Sequence, residues 1–490
     1  MANPLYDTLF ARHQGSERPF LHLAGGETLS YDAFLRQAAR IANVFAEMGL
    51  EPGQRVAVQV AKSPEALAVC AACAQAGLVF LPLNTAYTQS EISYFLEDSG
   101  ASLFICGPGG EAKALRVETL DATGGGSLMA RAADLPETAP VAGRGEDDLA
   151  AFLYTSGTTG RSKGAMLSQR NLLSNAATLT EHWRFAAEDR LLHALPIFHT
   201  HGLFVATNVT LTAGGAMIFL PKFDLDAMIG LMPQATTMMG VPTFYTRLLD
   251  DPRFTADLTA HMRLFISGSA PLLAETHVQF EARTGHRILE RYGMTETGMN
   301  TSNPYDGERR AGTVGFPLPG IEARVCDAEG RELPQGEIGQ IEVRGPNVFQ
   351  GYWNMPEKTK EELRPNGFFL TGDLGRVDAD SYLHIVGRSK DLIISGGYNI
   401  YPKEIELLLD AQPGVKESAV IGLPHADFGE QVVGVVVPDG DAAPDAETLL
   451  SAIAPDLARF KQPRRIEILA ELPRNSMGKV QKNVLRDRFS

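Results

Sequence analysis

The run Tyr154-Thr-Ser-Gly-Thr-Thr-Gly-Arg-Ser-Lys163-Gly164 follows an apolar segment, Leu149 to Thr155, that has the character of a short buried strand. After it, a helical pattern opens at Ser168 and continues through Leu172, Leu173, Ala176 and Leu179. Glycines let backbone N–H groups approach an anion closely, and the Ser and Thr hydroxyls add donors around it. Lys163 and Arg161 supply charge. The run reads as a loop that holds a polyphosphate; taken alone, its composition also suits a flexible surface turn. It is not a Walker loop, because Lys163 follows Gly160 by three residues and is not itself followed by Ser or Thr.

Upstream, residues 30 to 106 alternate helix and strand. Ser30 caps a helix with apolar positions Phe34, Ala38, Ile41, Phe45 and Met48, stopped at Gly49. Arg55 to Val60 is a strand, Ser63 to Ala76 a helix and Leu78 to Leu83 a strand. Thr88-Gln-Ser-Glu91 is a capping box, and Ala101 to Cys106 is a further strand. Such alternation predicts a parallel sheet covered on both faces. Residues 107 to 148 lose the pattern and read as a surface excursion. Downstream, Met217 to Leu220 and Leu264 to Ile266 resume it. From Pro317 the texture changes to short β-runs between glycines, an antiparallel or barrel-like subdomain. After Gly387-Arg-Ser-Lys-Asp391 a last segment of about a hundred residues has helix and strand signals of its own.

At 490 residues the chain has room for roughly three domain-sized units. Its 44 basic and 59 acidic residues leave a net charge of −15, which argues against a nucleic-acid or anionic-membrane surface. An anionic ligand must therefore be captured by local positive sites. The N-terminus lacks a signal peptide's basic start and apolar core, and the most apolar stretch, Ala66 to Leu83, is interrupted by Gln75, Gly77 and Pro82. Four cysteines make no disulfide framework; Cys70 and Cys73 read as core positions on a buried helix. A cytoplasmic protein without membrane insertion is expected.

Four further constellations carry chemistry. Gly268-Ser269-Ala270-Pro271 follows an apolar strand, at the sheet edge where open α/β folds bind ligands. Glu290-Arg291-Tyr292-Gly293-Met294-Thr295-Glu296 combines an aromatic face, a hydroxyl and carboxylates, which suit a nucleotide and its Mg²⁺. Thr371-Gly-Asp373 and Gly387-Arg388 flank a β-hairpin, and a carboxylate such as Asp373 can accept both hydroxyls of a ribose. Pro473-Arg-Asn-Ser-Met-Gly-Lys479 sets a lysine on a glycine-containing loop.

In this order the motifs, with Pro196-Ile-Phe-His199 and Gly339-Gln-Ile-Glu-Val-Arg-Gly345, resemble the acyl-adenylate-forming superfamily of acyl-CoA synthetases, luciferases and peptide-synthetase adenylation domains. The resemblance spans nearly the whole chain; Ser162, where relatives usually have Pro, is a departure. It implies a large N-terminal domain, 1–389, of layered α/β subdomains plus a small β-barrel-like subdomain. A small mobile α+β C-terminal domain, 390–490, would turn about a hinge at Lys390. It also implies two half-reactions. A carboxylate attacks the α-phosphorus of Mg·ATP to give acyl-AMP and pyrophosphate; the thiolate of coenzyme A then displaces AMP.

By the same resemblance, Thr155, Ser156, Gly157, Thr158, Thr159, Gly160 and Lys163 hold phosphates, and Thr155 and Glu296 serve the metal. Ser269, Ala270, Pro271 and residues 290–295 surround the adenylate, while Asp373 and Arg388 bind ribose. Lys479 bridges the α-phosphate and the substrate carboxylate. Lys390, Gly396, Gly397 and Tyr398 line the CoA side, and His199 gates the acyl pocket. His199 and His201 as a zinc pair lack a third ligand nearby. Lys479 also resembles the site at which such synthetases are switched off by a lysine acetyltransferase and restored by a deacetylase.

Substrate class rests on two cations. Arg291 stands where many relatives have Gly, and Arg247 lies in Val241-Pro-Thr-Phe-Tyr-Thr-Arg247, a segment that lines the acyl pocket in relatives. Buried arginines beside an uncharged tail would be uncompensated, whereas a second substrate carboxylate would pair with them. With His199, Ser269 and these arginines, the pocket suits malonate. Leu195 to Phe204 and Met299 to Asp306 resemble malonyl-CoA synthetases in particular. The alternatives are a short-chain monocarboxylate synthetase, an adenylation enzyme that loads a carrier protein, and a non-catalytic nucleotide sensor.

Lys479→Ala should slow adenylation by about two to four decades, as removal of a preorganised electrostatic group does. Thioester formation from supplied acyl-AMP should stay near wild type. Equal losses in the two half-reactions would make the lysine structural.

Overall fold

Apolar runs too short to make helices become the strands, and the longer amphipathic segments between them become the helices that cover the sheets. The computed structural model describes residues 2–110, 115–155, 162–395, 398–425, 427–440, 444–475 and 478–490. It divides into two compact units, Met1–Ala323 with Val343–Phe369, and Arg324–Glu342 with Leu370–Ser490. Compactness thus groups residues 370–389 with the C-terminal residues; a pivot at Lys390 is a separate matter and stays a proposal.

Among the described residues the first unit contains two large sheets. One has six strands, ordered Arg116–Thr119, Leu103–Cys106, Arg55–Gln59, Val79–Pro82, Leu149–Thr155 and Lys163–Ser168. All neighbours are parallel except the last pair. Its helices start where the caps predict. Ser30 and Ser63 accept from Ala33 N–H and Ala66 N–H, and Thr88 with Glu91 forms the full capping box. Cys73 is buried on helix Pro64–Ala76, and Cys70 is half-buried.

One local expectation is corrected. The excursion after Gly107 is not featureless: Arg116–Thr119 adds an edge strand and Ser127–Ala132 a short helix. Polar residues hold this edge together, since buried Glu118 accepts from the Ser127 hydroxyl and from Arg131, so no apolar period marks it. The helix read as opening at Ser168 is present, and a strand lies between it and the Gly/Ser/Thr run. Lys163–Ser168 returns antiparallel to Leu149–Thr155, with Thr155 opposite Lys163, before Ser168 caps Gln169–His182. The return strand packs closely: a Cβ at Gly164 would lie 2.1 Å from the Phe152 ring.

The second sheet has nine strands. Arg190–His193, Thr237–Gly240, Leu264–Ser267 and Leu289–Met294 run parallel at its centre, so their carboxyl ends share one edge.

In the C-terminal unit, Asp373 pairs in register with Arg388 across the antiparallel strands Phe369–Val377 and Leu383–Arg388. A five-stranded sheet built on Val415–His425 and Gly429–Pro438 carries apolar clusters on its two faces, covered by Pro402–Asp410 and Ala446–Ile453 on one and Lys482–Phe489 on the other. Among the described residues no helix is long and apolar enough to cross a membrane.

Ser168 caps the helix that follows the Leu149–Ser168 hairpin, reciprocally with Asn171. Ser168→Ala should destabilise the protein by about 1 kcal/mol, read from the denaturation midpoint. An unchanged midpoint would show that tertiary packing alone holds this helix.

Candidate active site

Residues 156–161, which include Ser156, Gly157, Thr158, Thr159 and Gly160, lie outside the described residues, as do Gly396 and Gly397. The hairpin that carries the first set is described on both sides. Thr155 Oγ1 lies 3.4 Å from the Lys163 carbonyl, and the Lys163 ammonium sits 3.1 Å and 3.2 Å from the two carboxylate oxygens of Glu362. It also stands 4.1 Å above the Tyr352 ring. The Tyr352 hydroxyl lies 2.6 Å from Glu362 and 3.1 Å from Glu296. Having one proton, it can donate to only one carboxylate at a time. Burial and the two neighbouring acids push the phenol far up, so it stays protonated. Burial would raise Glu362, but Tyr352, Lys358 and Lys163 outweigh it and hold the acid below the usual carboxylate range.

Glu296 is buried in the turn between Leu289–Met294 and Gly298–Ser302. A buried carboxylate whose oxygen meets a neutral hydroxyl suits Mg²⁺, which commonly takes one protein carboxylate and completes its shell with phosphates and water. Tyr352 and Glu362, which tie Lys163 to Glu296, carry no sequence signal. Glu362 sits in Pro356-Glu-Lys-Thr-Lys-Glu-Glu362, a helix that reads as solvated surface.

Arg291 lies on the other side of the same hairpin. It is 3% exposed, and its Nε and Nη2 have no hydrogen-bond partner among the described residues. Burial pushes its pKa down to about 9. Its guanidinium lies against Gly268, where a Cβ would come within 2.3 Å of Cζ. Only glycine fits there. The preceding Glu290 points the opposite way and accepts from Leu272 N–H at 3.1 Å. Tyr292, Gly293, Met294 and Thr295 are half-buried, as are Ser269 and Ala270, while Pro271 is exposed.

Ser269 has φ +71°, an uncommon backbone for a non-glycine residue. Its hydroxyl lies 3.1 Å from His201 Nδ1. His201 is buried on the π-helix His201–Thr207, its Nε2 has no partner among the described residues, and burial followed by the Arg291 charge keeps the ring neutral. His199 is half-buried one turn earlier. Sequence reading weighed His201 only as a metal ligand; its pairing with Ser269 spans 68 residues.

The pairing of Arg247 with Arg291 as two desolvated cations is corrected. Arg247 is exposed in the last turn of Pro242–Leu249, with its guanidinium 5.7 Å from the centre of the Phe223 ring. The inward positions of that short helix go to Phe244, Tyr245 and Leu248, which leaves residue 247 outside.

In the C-terminal unit, buried Asp373 accepts from Arg388 Nε at 2.7 Å, and Arg388 also reaches the Thr371 carbonyl at 3.3 Å. Lys390 is exposed in the turn Ser389–Asp391. Tyr398 is exposed and stacks on Phe460 with ring centres 4.4 Å apart. Lys479 is exposed on a tight turn closed by two hydrogen bonds with Asn475, with Gly478 at φ +74°.

The AMP-binding enzyme family model matches residues 9–353, and the model of the AMP-binding enzyme C-terminal domain matches 404–479. ATP-bound MatB from Rhodopseudomonas palustris superposes with a TM-score of 0.97 at 56% identity, covering 100% of this chain and 99% of that one. Feruloyl-CoA synthase of an Amycolatopsis species is 39% identical over 477 residues, 95% of each chain. Malonate–CoA ligase of Arabidopsis thaliana is 35% identical over 525 residues, covering 94% of this chain and 85% of that one. By these matches along nearly its whole length, the chain belongs to the AMP-binding enzyme family.

Proposed function

We propose that this protein is an AMP-forming acid–thiol ligase that joins malonate, and by extension methylmalonate, to coenzyme A at the expense of ATP. A malonate carboxylate oxygen attacks the α-phosphorus and pyrophosphate leaves; the CoA thiolate then attacks the acyl carbon and AMP leaves. The observation that carries the choice of acid is Arg291. A guanidinium buried with two nitrogens unpartnered is costly in an empty pocket and gains most when a carboxylate arrives. Feruloyl-CoA synthase, a relative of similar identity, is named for an aryl acid, for which such a cation offers no partner.

The remaining assignments follow the same reading. Lys163 and the hairpin tip hold phosphates; binding them would draw Lys163 from Glu362. Thr155 and Glu296 would hold Mg²⁺, which would supply charge neutralisation to the phosphates. Residues 269–271 and 290–295 surround the adenylate, and Asp373 with Arg388 takes the ribose. His201, facing Ser269, joins His199 at the acyl pocket. Lys390 and residues 396–398 serve the CoA step. Exposed Lys479 bridges the α-phosphate and carboxylate and is open to an acetyltransferase and a deacetylase; acetylation removes its charge and should stop adenylation alone.

The test is ATP-dependent pyrophosphate release across malonate, methylmalonate, acetate, propionate, butyrate and ferulate. Malonate should exceed the monocarboxylates by about four decades in kcat/KM, because a site built for a polar group rejects analogues that lack it. Butyrate or ferulate turned over as well as malonate would overturn the assignment. Transfer to a carrier protein in preference to CoA would favour the carrier-loading alternative.

Arg291→Met should cost at least about 2 kcal/mol in malonate kcat/KM while sparing the KM for ATP. It should also raise the Tm of the ligand-free protein, since an unpaired buried charge is removed. Exposed Arg247→Ala should change malonate kcat/KM by less than about threefold. A larger loss at Arg247 than at Arg291 would locate the distal carboxylate elsewhere.

A further inference from the structure

We propose that Lys62 is a positioning residue for the acyl pocket, acting through His193 on the π-helix that carries His201. The inference rests on the pocket assigned above. Lys62 follows the carboxyl end of strand Arg55–Gln59 in the six-stranded sheet, and His193 ends strand Arg190–His193 in the nine-stranded one. The Lys62 ammonium lies 2.8 Å from His193 Nδ1, 2.8 Å from the His193 carbonyl oxygen and 4.3 Å from the centre of the Phe219 ring. Two acceptors and an aromatic face thus surround it, and among the described residues no acid offsets its burial.

Burial pushes the Lys62 pKa well down, but the Gly202 carbonyl beside His193 Nε2 can only accept, so Nδ1 must present its lone pair to the Lys62 amine. The imidazole proton therefore sits on Nε2, which donates to the Gly202 carbonyl at 2.8 Å. The Thr207 hydroxyl donates to the same oxygen at 2.9 Å. His193 is 1% exposed, and burial, followed by the Lys62 charge, keeps it neutral. With the proton moved to Nδ1, the Nε2 lone pair would face the carbonyl oxygen and the contact would turn repulsive.

Gly202 is the second residue of the π-helix, directly after His201. A Cβ there would lie 2.1 Å from the Pro196 carbonyl oxygen, so the turn is already pressed against its approach segment. A π-turn is wider than an α-turn and needs outside support for its geometry. Here the doubly bonded Gly202 carbonyl provides it. His201 is then held with Nδ1 on the Ser269 hydroxyl, and the strained Ser269 adjoins Gly268, on which the Arg291 guanidinium rests. From Lys62 to Arg291 each link is a hydrogen bond or a packed contact, and no link is an acid. A simple tie between the two sheets would need only the bond to the His193 carbonyl; the second bond, to Nδ1, is the one that supports the tautomer the Gly202 carbonyl requires.

The test compares Lys62→Met, which removes the donor, with Lys62→Gln, which keeps a neutral one. KM for malonate and for ATP are measured by pyrophosphate release, and the His193 tautomer is read from ¹⁵N shifts of histidine-labelled enzyme. Lys62→Met should raise the malonate KM roughly ten- to a hundredfold, the loss expected for a hydrogen bond from a charged group. The ATP KM should change by less than about twofold, and the Nε2-protonated signature of His193 should be lost. Lys62→Gln should keep that signature and most of the malonate affinity. If Lys62→Met does not fold, the glutamine variant alone decides: retention of both properties supports the role. Malonate and ATP KM rising together, or a changed tautomer with an unchanged malonate KM, would overturn it. Should wild type prefer another acid, the malonate assignment fails, and the same comparison is made with that acid.

Discussion

A buried guanidinium with two unpartnered nitrogens is a costly group to fold around. Arg291 gives up hydration, and nothing among the described residues pairs with its Nε or Nη2. The structure around it tolerates the charge without neutralising it. Gly268 withholds a side chain so that the guanidinium can lie flat, and Glu290 is turned away onto Leu272 N–H. The nearest imidazole, His201, is kept neutral. Each feature preserves an unmet demand for an anion inside a protein whose net charge is −15.

The phosphate side solves the opposite problem. Lys163 is already paired with Glu362, and Glu362 shares the Tyr352 hydroxyl with Glu296. On the proposed reading, a polyphosphate there would exchange partners rather than supply the first one. Drawing Lys163 away from Glu362 leaves Tyr352 as that acid's remaining buried donor, which bears on the bond Tyr352 makes to Glu296. The two halves of the candidate site therefore differ in kind: one holds a buried cation with two nitrogens unpartnered among the described residues, the other a network of paired groups.

The C-terminal unit presents its groups through short-range geometry. Asp373 and Arg388 are opposite one another in a two-stranded register, so their ion pair follows from strand pairing alone. Lys479 sits on a turn that Asn475 closes from both directions, with glycine at the left-handed position beside it.

Much of this was legible in the order of residues, because it is local. Caps at Ser30, Ser63, Thr88 and Ser168, apolar strand runs, and a glycine-rich turn act within a few positions, and the ordered motifs identify the family. The polar edge strand Arg116–Thr119 escaped notice because its burial is made by Glu118, Ser127 and Arg131 rather than by an apolar period. The return strand Lys163–Ser168 was not read, because its short run between the glycine-rich loop and the capping Ser168 has no strand period of its own. Arg247 and Arg291 looked alike as cations near one pocket; only packing separated them, since a short helix that buries Phe244, Tyr245 and Leu248 turns position 247 to solvent. Tyr352 with Glu296, His201 with Ser269, and Lys62 with His193 are contacts across 56, 68 and 131 residues. Residue type names a group's chemistry, but its charge state and partner are set by desolvation and by whatever the fold brings within about 3 Å.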